Sequence, residues 1–192
     1  MPSTVFLVFG PQGSGKSTQG ERLAAKLNLP FFDTGAELRR LATEPTEIGQ
    51  HIKAQMSSGG LVDSQYFEQI IAEFVNIHDI SRGIVMDGFP RVEEQTWVLE
   101  KFAKLHDMKV IGVLIQISDE TSRARLQLRA QTEHRQDDTD AIITKRLATY
   151  QRETVPVISY LKEHYQLLEI DGEPGVDAVT NKLFQALNLT NG

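Results

Sequence analysis

The sequence predicts an α/β fold, doubly wound, with a parallel sheet of about five strands carrying helices on both faces. Three observations lead there. Short, continuously apolar runs recur along the chain, as expected of strands buried on both sides. Longer segments with apolar residues at helical spacing lie between them. A glycine-rich turn joins the first apolar run to the first helical segment, where parallel sheets seat ligands beyond their strands' carboxyl ends.

The elements follow in order. Strands are expected at residues 5–9, 31–32, 84–87, 110–117 and 167–171. The segment from Gln19 to Leu27 is amphipathic. Thr34, with Glu37 three residues on, has the spacing of a capping box. Tyr66, Ile70, Ile71 and Phe74 share one helical face, with Asp63 as N-cap. Trp97, Phe102 and Leu105 mark another helix. Arg123 to Ala130 forms a further one, starting near Asp119. The run Asp137-Asp138-Thr139 caps a long helix directed toward His164 and bent at Pro156. Residues 176–187 close the chain as a helix.

A length of 192 residues fits a single domain spanning 1–192. Hydrophobic and charged contents of 40% and 24% place it among soluble globular proteins. A net charge of −6 argues against nucleic acid as a partner, since such binders present a basic surface. With no cysteine there are no disulfides, no thiol catalysis and no cysteine-ligated zinc. The first strand begins close to Met1, leaving no room for a signal peptide, and no apolar run approaches the ~20 residues that span a bilayer. The expectation is a cytoplasmic protein with no membrane partner, a monomer, with a small homo-oligomer as the alternative. The five histidines are scattered without ligand spacing, so no histidine metal site is expected.

The turn reads Gly10-Pro11-Gln12-Gly13-Ser14-Gly15-Lys16-Ser17-Thr18. Strand, glycine-rich turn and helix are the context of a phosphate-binding loop. With little side-chain bulk, its backbone N–H groups can converge on a polyphosphate. The helix behind adds its own unsatisfied N–H groups and positive dipole end. Lys16 can reach the outer phosphates, and a hydroxyl from Ser17 can meet Mg²⁺.

Asp87 ends a buried apolar strand, a costly place for a carboxylate without a partner. Beside a phosphate loop that partner is the Mg²⁺ shell; otherwise Asp87 caps a turn or helix. Gly88 lets backbone approach, Pro90 stiffens the turn, and Arg91 is placed to hold an anion. Arg123, Arg125, Arg129, Arg135 and Arg146 form a basic set. Arg125 and Arg129 share a helix face, and guanidinium forks suit phosphate. The plainer reading of such a set is a solvated helix face.

Together these segments resemble the adenylate kinase family of nucleoside monophosphate kinases, in order and over nearly the whole chain. The quoted loop resembles the family's ATP loop. Thr34-Gly35 with Arg39 resembles the start of its acceptor-nucleotide arm, and Gly59-Gly60-Leu61-Val62 the arm's end, so the arm covers 34–62. Asp87-Gly88-Phe89-Pro90-Arg91 with Gln95 resembles its most specific signature. Arg135-Gln136-Asp137-Asp138 and Lys145-Arg146-Leu147 resemble the stretch after the lid. Asp171-Gly172 resembles the strand exit that seats the ATP adenine.

The resemblance implies a P-loop kinase fold and reversible, Mg²⁺-dependent transfer of a phosphoryl group from ATP to AMP, giving two ADP. It implies an ATP site built from Gly10, Gly13, Ser14, Gly15, Lys16, Ser17, Thr18, Arg125 and Gly172. It implies an AMP site built from Thr34, Gly35, Arg39, Met56, Val62, Gly88, Arg91 and Gln95. Lys16, Arg91, Arg129, Arg135 and Arg146 are the residues it assigns to the transferring phosphates, with Asp87 and Ser17 toward Mg²⁺. Thr34 and Gln95 match the adenylate branch, whereas the uridylate–cytidylate branch tends to alanine and asparagine there. No general base is needed, because the acceptor phosphate is already anionic; alignment and charge neutralisation do the chemistry.

The chain also departs from the family. Only five residues separate Arg129 from Arg135, so the lid is a very short loop at 130–138 with no inserted domain and no zinc. Ser17 stands where the family usually has glycine, and competes with Thr18 for the metal. Pro11 is shifted by one position, and Asp33 replaces a usual serine. Competing readings are a UMP or CMP kinase, a P-loop kinase of a small hydroxylated metabolite, and a non-catalytic nucleotide-binding protein. No guanine-reading motif supports a GTPase.

Overall fold

A computed structural model describes residues 2–58, 60–132 and 139–189. Among these residues five parallel strands form one sheet in the order β2-β3-β1-β4-β5: β1 Thr4–Phe9, β2 Phe31–Asp33, β3 Gly83–Asp87, β4 Lys109–Gln116 and β5 Gln166–Asp171. Each expected strand is present, with ends shifted by at most one residue. The central strand β1 is buried throughout. Its side chains alternate between two apolar layers, as the two-residue strand period requires. Val5, Leu7 and Phe9 enter one layer, Phe6 and Val8 the other.

The second layer is closed by α1 (Lys16–Leu27) and α9 (Val176–Ala186) through Leu23, Ala24, Val179 and Leu183. The first is closed by α2 (Thr34–Leu41), α3 (Glu47–Ser57), α4 (Phe67–Ile77), α5 (Glu93–Leu105) and α8 (Val155–His164). Helices α6 (Asp119–Thr132) and α7 (Asp140–Thr149) share a small apolar contact of Leu126, Ile143 and Leu147. No helix among the described residues is long and apolar enough to cross a membrane.

Several local expectations are corrected. The cap of α2 is Asp33, whose carboxylate accepts from the Ala36 N–H at 2.9 Å, and Glu37 pairs instead with Arg40 at 2.6 Å. A carboxylate one residue earlier reaches the first-turn amides, so the Thr34 hydroxyl is released from capping. Asp63 precedes a 3-10 turn, Ser64–Tyr66, and makes no side-chain cap there. In α5 the core face is Leu99, Phe102 and Ala103, while Trp97 and Leu105 are 73% and 75% exposed. Helix α3 was not anticipated, although Ile48, Ile52 and Met56 recur at a four-residue spacing and pack on the core. Thr139 caps α7 by accepting from the Ile142 N–H, while Asp137 and Asp138 lie outside the described residues. The long helix is interrupted ahead of Pro156 by a π turn, Tyr150–Thr154, in which the Val155 N–H reaches back to the Tyr150 carbonyl. A wider turn accommodates the hydrogen bond that proline cannot make.

Asp63 instead holds the segment after α3 against that helix. Its carboxylate accepts from Gln55 Nε2 at 2.9 Å and pairs with His51 Nε2 at 2.8 Å, while its own N–H donates to Gln55 Oε1 at 3.1 Å. The bonds from Gln55 and His51 hold its carboxyl below the usual range. Such a group contributes stability above the unfolded carboxylate pKa of ~3.9, lost as pH falls through the lower folded value. Asp63→Ala is therefore expected to speed limited proteolysis of the arm at neutral pH, and the difference from the wild type should vanish at acidic pH.

Candidate active site

The loop between β1 and α1 lies at the carboxyl ends of the strands and floors a cleft of about 400 Å³. Gly10 has φ 151°, and a Cβ there would lie 2.5 Å from Ser14 Oγ and 2.6 Å from the Ile115 carbonyl. The loop thus closes tightly over the end of β4. Gly15 adopts a left-handed conformation that starts α1 at Lys16. Gly10, Gly13, Gly15, Lys16, Ser17 and Thr18 all line the cleft. Ser14 lies beneath the loop, 2% exposed, with its hydroxyl unpartnered.

Across from the loop stands Asp87, 3% exposed at the end of β3. Register brings it there, because Asp87 pairs with Val8, two residues before Gly10. Its Oδ2 accepts the Ser17 hydroxyl, and its Oδ1 is buried without a partner. Burial pushes the carboxyl above its usual range, and Lys16 draws it back down. Burial pushes Lys16 down, opposed by Asp87. An unsatisfied carboxylate oxygen beside a hydroxyl is the donor set a hard divalent cation or its water shell takes. No group of three His, Cys, Asp or Glu side chains suited to a metal occurs among the described residues.

The other half of the cleft is walled by α2, α3 and the segment that follows α3. Thr34, Gly35, Arg39, Met56 and Val62 line it together with Gly88, Arg91 and Gln95. The peptide of Arg91 is clamped from two sides: its N–H donates to Gln95 Oε1 at 2.7 Å, and its carbonyl accepts the Thr154 hydroxyl at 3.0 Å. Its Nε donates to the Gly88 carbonyl at 2.7 Å. Gly88 has φ 72°, and a Cβ there would sit 2.4 Å from the Arg91 guanidinium. Arg91 is pushed below its usual pKa by burial, with Arg146 and Arg39 adding to the effect and Asp87 opposing it. Thr34 and Gln95 are each 1% exposed, and the Thr34 hydroxyl has no partner.

Arg125, Arg129 and Arg146 line the same cleft. Arg125 donates to the Gly172 and Glu173 carbonyls, both at 3.0 Å, tying α6 to the exit of β5. Gly172 itself is buried and does not line the cleft. Arg123 points elsewhere, to the Thr144 hydroxyl at 3.0 Å. Arg135, Gly59 and most of the lid loop lie outside the described residues. Thr149, Tyr150 and Thr154 also face the cleft and were missed in sequence. Tyr150 and Thr154 belong to the π turn and Thr149 ends α7 just before it, and no periodicity announces that turn. Lys145 reaches from α7 to the Ser58 carbonyl at the end of the arm, bridging the two walls.

This strand order, with a phosphate-type loop on the central strand and a cleft divided between loop and arm, defines a P-loop nucleoside monophosphate kinase. A family model described as adenylate kinase matches residues 8–166. An adenylate kinase of Cyanothece sp. is 33% identical over 188 residues, spanning 97% of this chain and 96% of its own length. One from Agrobacterium fabrum is 34% identical over 189 residues, spanning 95% and 96%. Another from Mycobacterium tuberculosis is 34% identical over 182 residues, spanning 94% and 97%. The chain belongs to the adenylate kinase family.

The strain at Gly10 is directly testable. Gly10→Ala places a methyl against the Ile115 backbone, which cannot yield as a side chain end can. A loss of about 2–3 kcal/mol in unfolding free energy is expected from urea titration.

Proposed function

We propose that the cleft holds ATP on the loop and AMP in the arm, and moves the γ-phosphoryl group between them to give two ADP, reversibly. The observation that carries this reading is the meeting of Lys16 and the buried Thr34–Gln95 pair in one cleft, with Arg91, Arg129 and Arg146 also lining it. Gly10, Gly13, Ser14, Gly15, Lys16, Ser17 and Thr18 would seat the ATP phosphates, with Arg125 and the Gly172 region at its base. Thr34, Gly35, Arg39, Met56, Val62, Gly88, Arg91 and Gln95 would seat AMP. Lys16, Arg91, Arg129 and Arg146, with Arg135, would spread the charge of the transferring group. Asp87 and Ser17 would hold Mg²⁺, directly or through water, and the Ser17–Asp87 bond favours Ser17 over Thr18. Bound with ATP, Mg²⁺ supplies charge neutralisation at the phosphates. The reading places one kinase domain over 1–192, with arm and short lid as its parts. The acidic, cysteine-free composition suits a monomeric cytoplasmic enzyme acting on free nucleotides.

The acceptor base follows from hydrogen-bond capacity. The oxygen of the Gln95 amide is engaged by the Arg91 N–H, leaving its N–H donors for a ligand. The Thr34 hydroxyl can accept. An amino group beside an unprotonated ring nitrogen answers that pair, which is the edge of adenine. Uracil and guanine present a ring N–H there, opposing donor to donor. Cytosine has adenine's pattern on a smaller ring and leaves part of the pocket unfilled.

With Mg-ATP, AMP is expected to be the best acceptor, CMP a distant second, and UMP and GMP the poorest. Coupled assays across the four decide it, and a preference for UMP overturns the base assignment. Lys16→Met should lower kcat by about 10²-fold or more while far-ultraviolet circular dichroism stays unchanged. Retained turnover would remove Lys16 from the mechanism.

A further inference from the structure

We infer that Glu173 is a positioning residue of the ATP-base side of the cleft: its carboxylate latches the loop after β5 onto the first turn of α6, and so fixes Arg125. The inference rests on the ATP side of the reading above. Glu173 Oε1 accepts the Ser118 N–H at 2.6 Å, and Oε2 accepts the Thr121 hydroxyl at 2.6 Å. In the opposite direction, Arg125 of α6 donates to the Gly172 and Glu173 carbonyls. The two helix turns and the loop thus form a closed ring of hydrogen bonds. Next to it, the Ser122 hydroxyl donates to the Gln12 carbonyl at 2.5 Å, and Arg125 reaches the Gly13 carbonyl at 3.5 Å. The first turns of α6 are therefore pinned between the phosphate loop and the β5 exit.

Glu173 is suited to the part. Its charge stands at the amino end of a 14-residue helix, where an anion is favoured. Hydrogen bonds from Thr121 and Ser118 hold its carboxyl below the usual range, so it is ionised at neutral pH. The loop that carries it is itself fixed: the Glu173 N–H donates to Asp171 Oδ1 at 3.0 Å, and Lys182 holds Asp171 Oδ2 at 2.7 Å. Side-chain freedom at Arg125 is set by this frame, because an arginine on an exposed helix face otherwise samples many rotamers.

The full chain carrying Glu173→Ala is compared with Glu173→Gln and the wild type. Calorimetry gives the Kd of Mg-ATP without acceptor, and steady-state assays give KM for ATP and for AMP separately. Glu173→Ala is expected to raise the ATP Kd and KM about fivefold, as for the loss of two carboxylate hydrogen bonds on an open surface. The AMP KM and kcat should hold. Glu173→Gln keeps one acceptor oxygen and should recover part of the loss. Unchanged ATP affinity overturns the inference. So does a rise in both KM values together with a lower thermal midpoint, which would make Glu173 merely structural. A wild-type enzyme that binds ATP but fails to phosphorylate AMP would sink the proposed reaction, while the calorimetric comparison would still test the latch.

Discussion

A carboxylate at the end of a wholly buried strand is the constraint around which this molecule is organised. Leaving Asp87 ionised and unanswered in that position would cost several kcal/mol. Lys16, Arg91 and the Ser17 hydroxyl answer it, and each comes from a segment whose path is otherwise strained or tightly packed. Lys16 and Ser17 arrive only if the loop closes over Gly10, and Arg91 only if the chain turns at Gly88. Burial weakens the protonated form of Lys16 and of Arg91, and their neighbours Arg129, Arg146 and Arg39 push the same way. A polyphosphate entering the cleft would relieve both.

The same economy of partners governs the acceptor side. Asp33 caps α2, so the neighbouring Thr34 hydroxyl is buried and unspent. Gln95 spends its oxygen on the Arg91 peptide and keeps its amide protons. Specificity in such a site comes from buried polar groups left to be satisfied by the correct ligand, because the wrong ligand leaves them unpaired. In the proposed reading, the clamp on Arg91 would couple base reading to phosphate holding, since Gln95 and Thr154 grip the peptide of an arginine that lines the cleft.

Some of this was legible in the residues alone. The five strands were, because a parallel sheet covered on both faces demands continuous apolar runs, which little else in the chain imitates. Helix faces were less so. Trp97 and Leu105 help mark α5 in the sequence but are exposed, and Leu99 and Ala103 occupy its buried side, because α4 and α8 approach there. Helix α3 escaped notice although Ile48, Ile52 and Met56 form a stripe, because one apolar residue per turn is a thin signal among polar neighbours.

The sequence by itself determined the sheet, the phosphate loop and the place of Asp87, since these depend on local pattern: apolar runs, glycines at a fixed spacing, a carboxylate closing a strand; Thr34, Arg39, Met56, Val62 and Gln95 entered through the family resemblance alone. Tertiary structure alone decided which polar atoms remain unspent. Thr34 against Asp33 as the cap, the engaged oxygen of Gln95, the inward turn of Tyr150 and the reach of Glu173 to Ser118 all depend on groups far apart in the chain or on competition between adjacent ones. Hydrogen bonds are directional and each donor is used once, so their assignment follows from three-dimensional placement and not from composition or spacing.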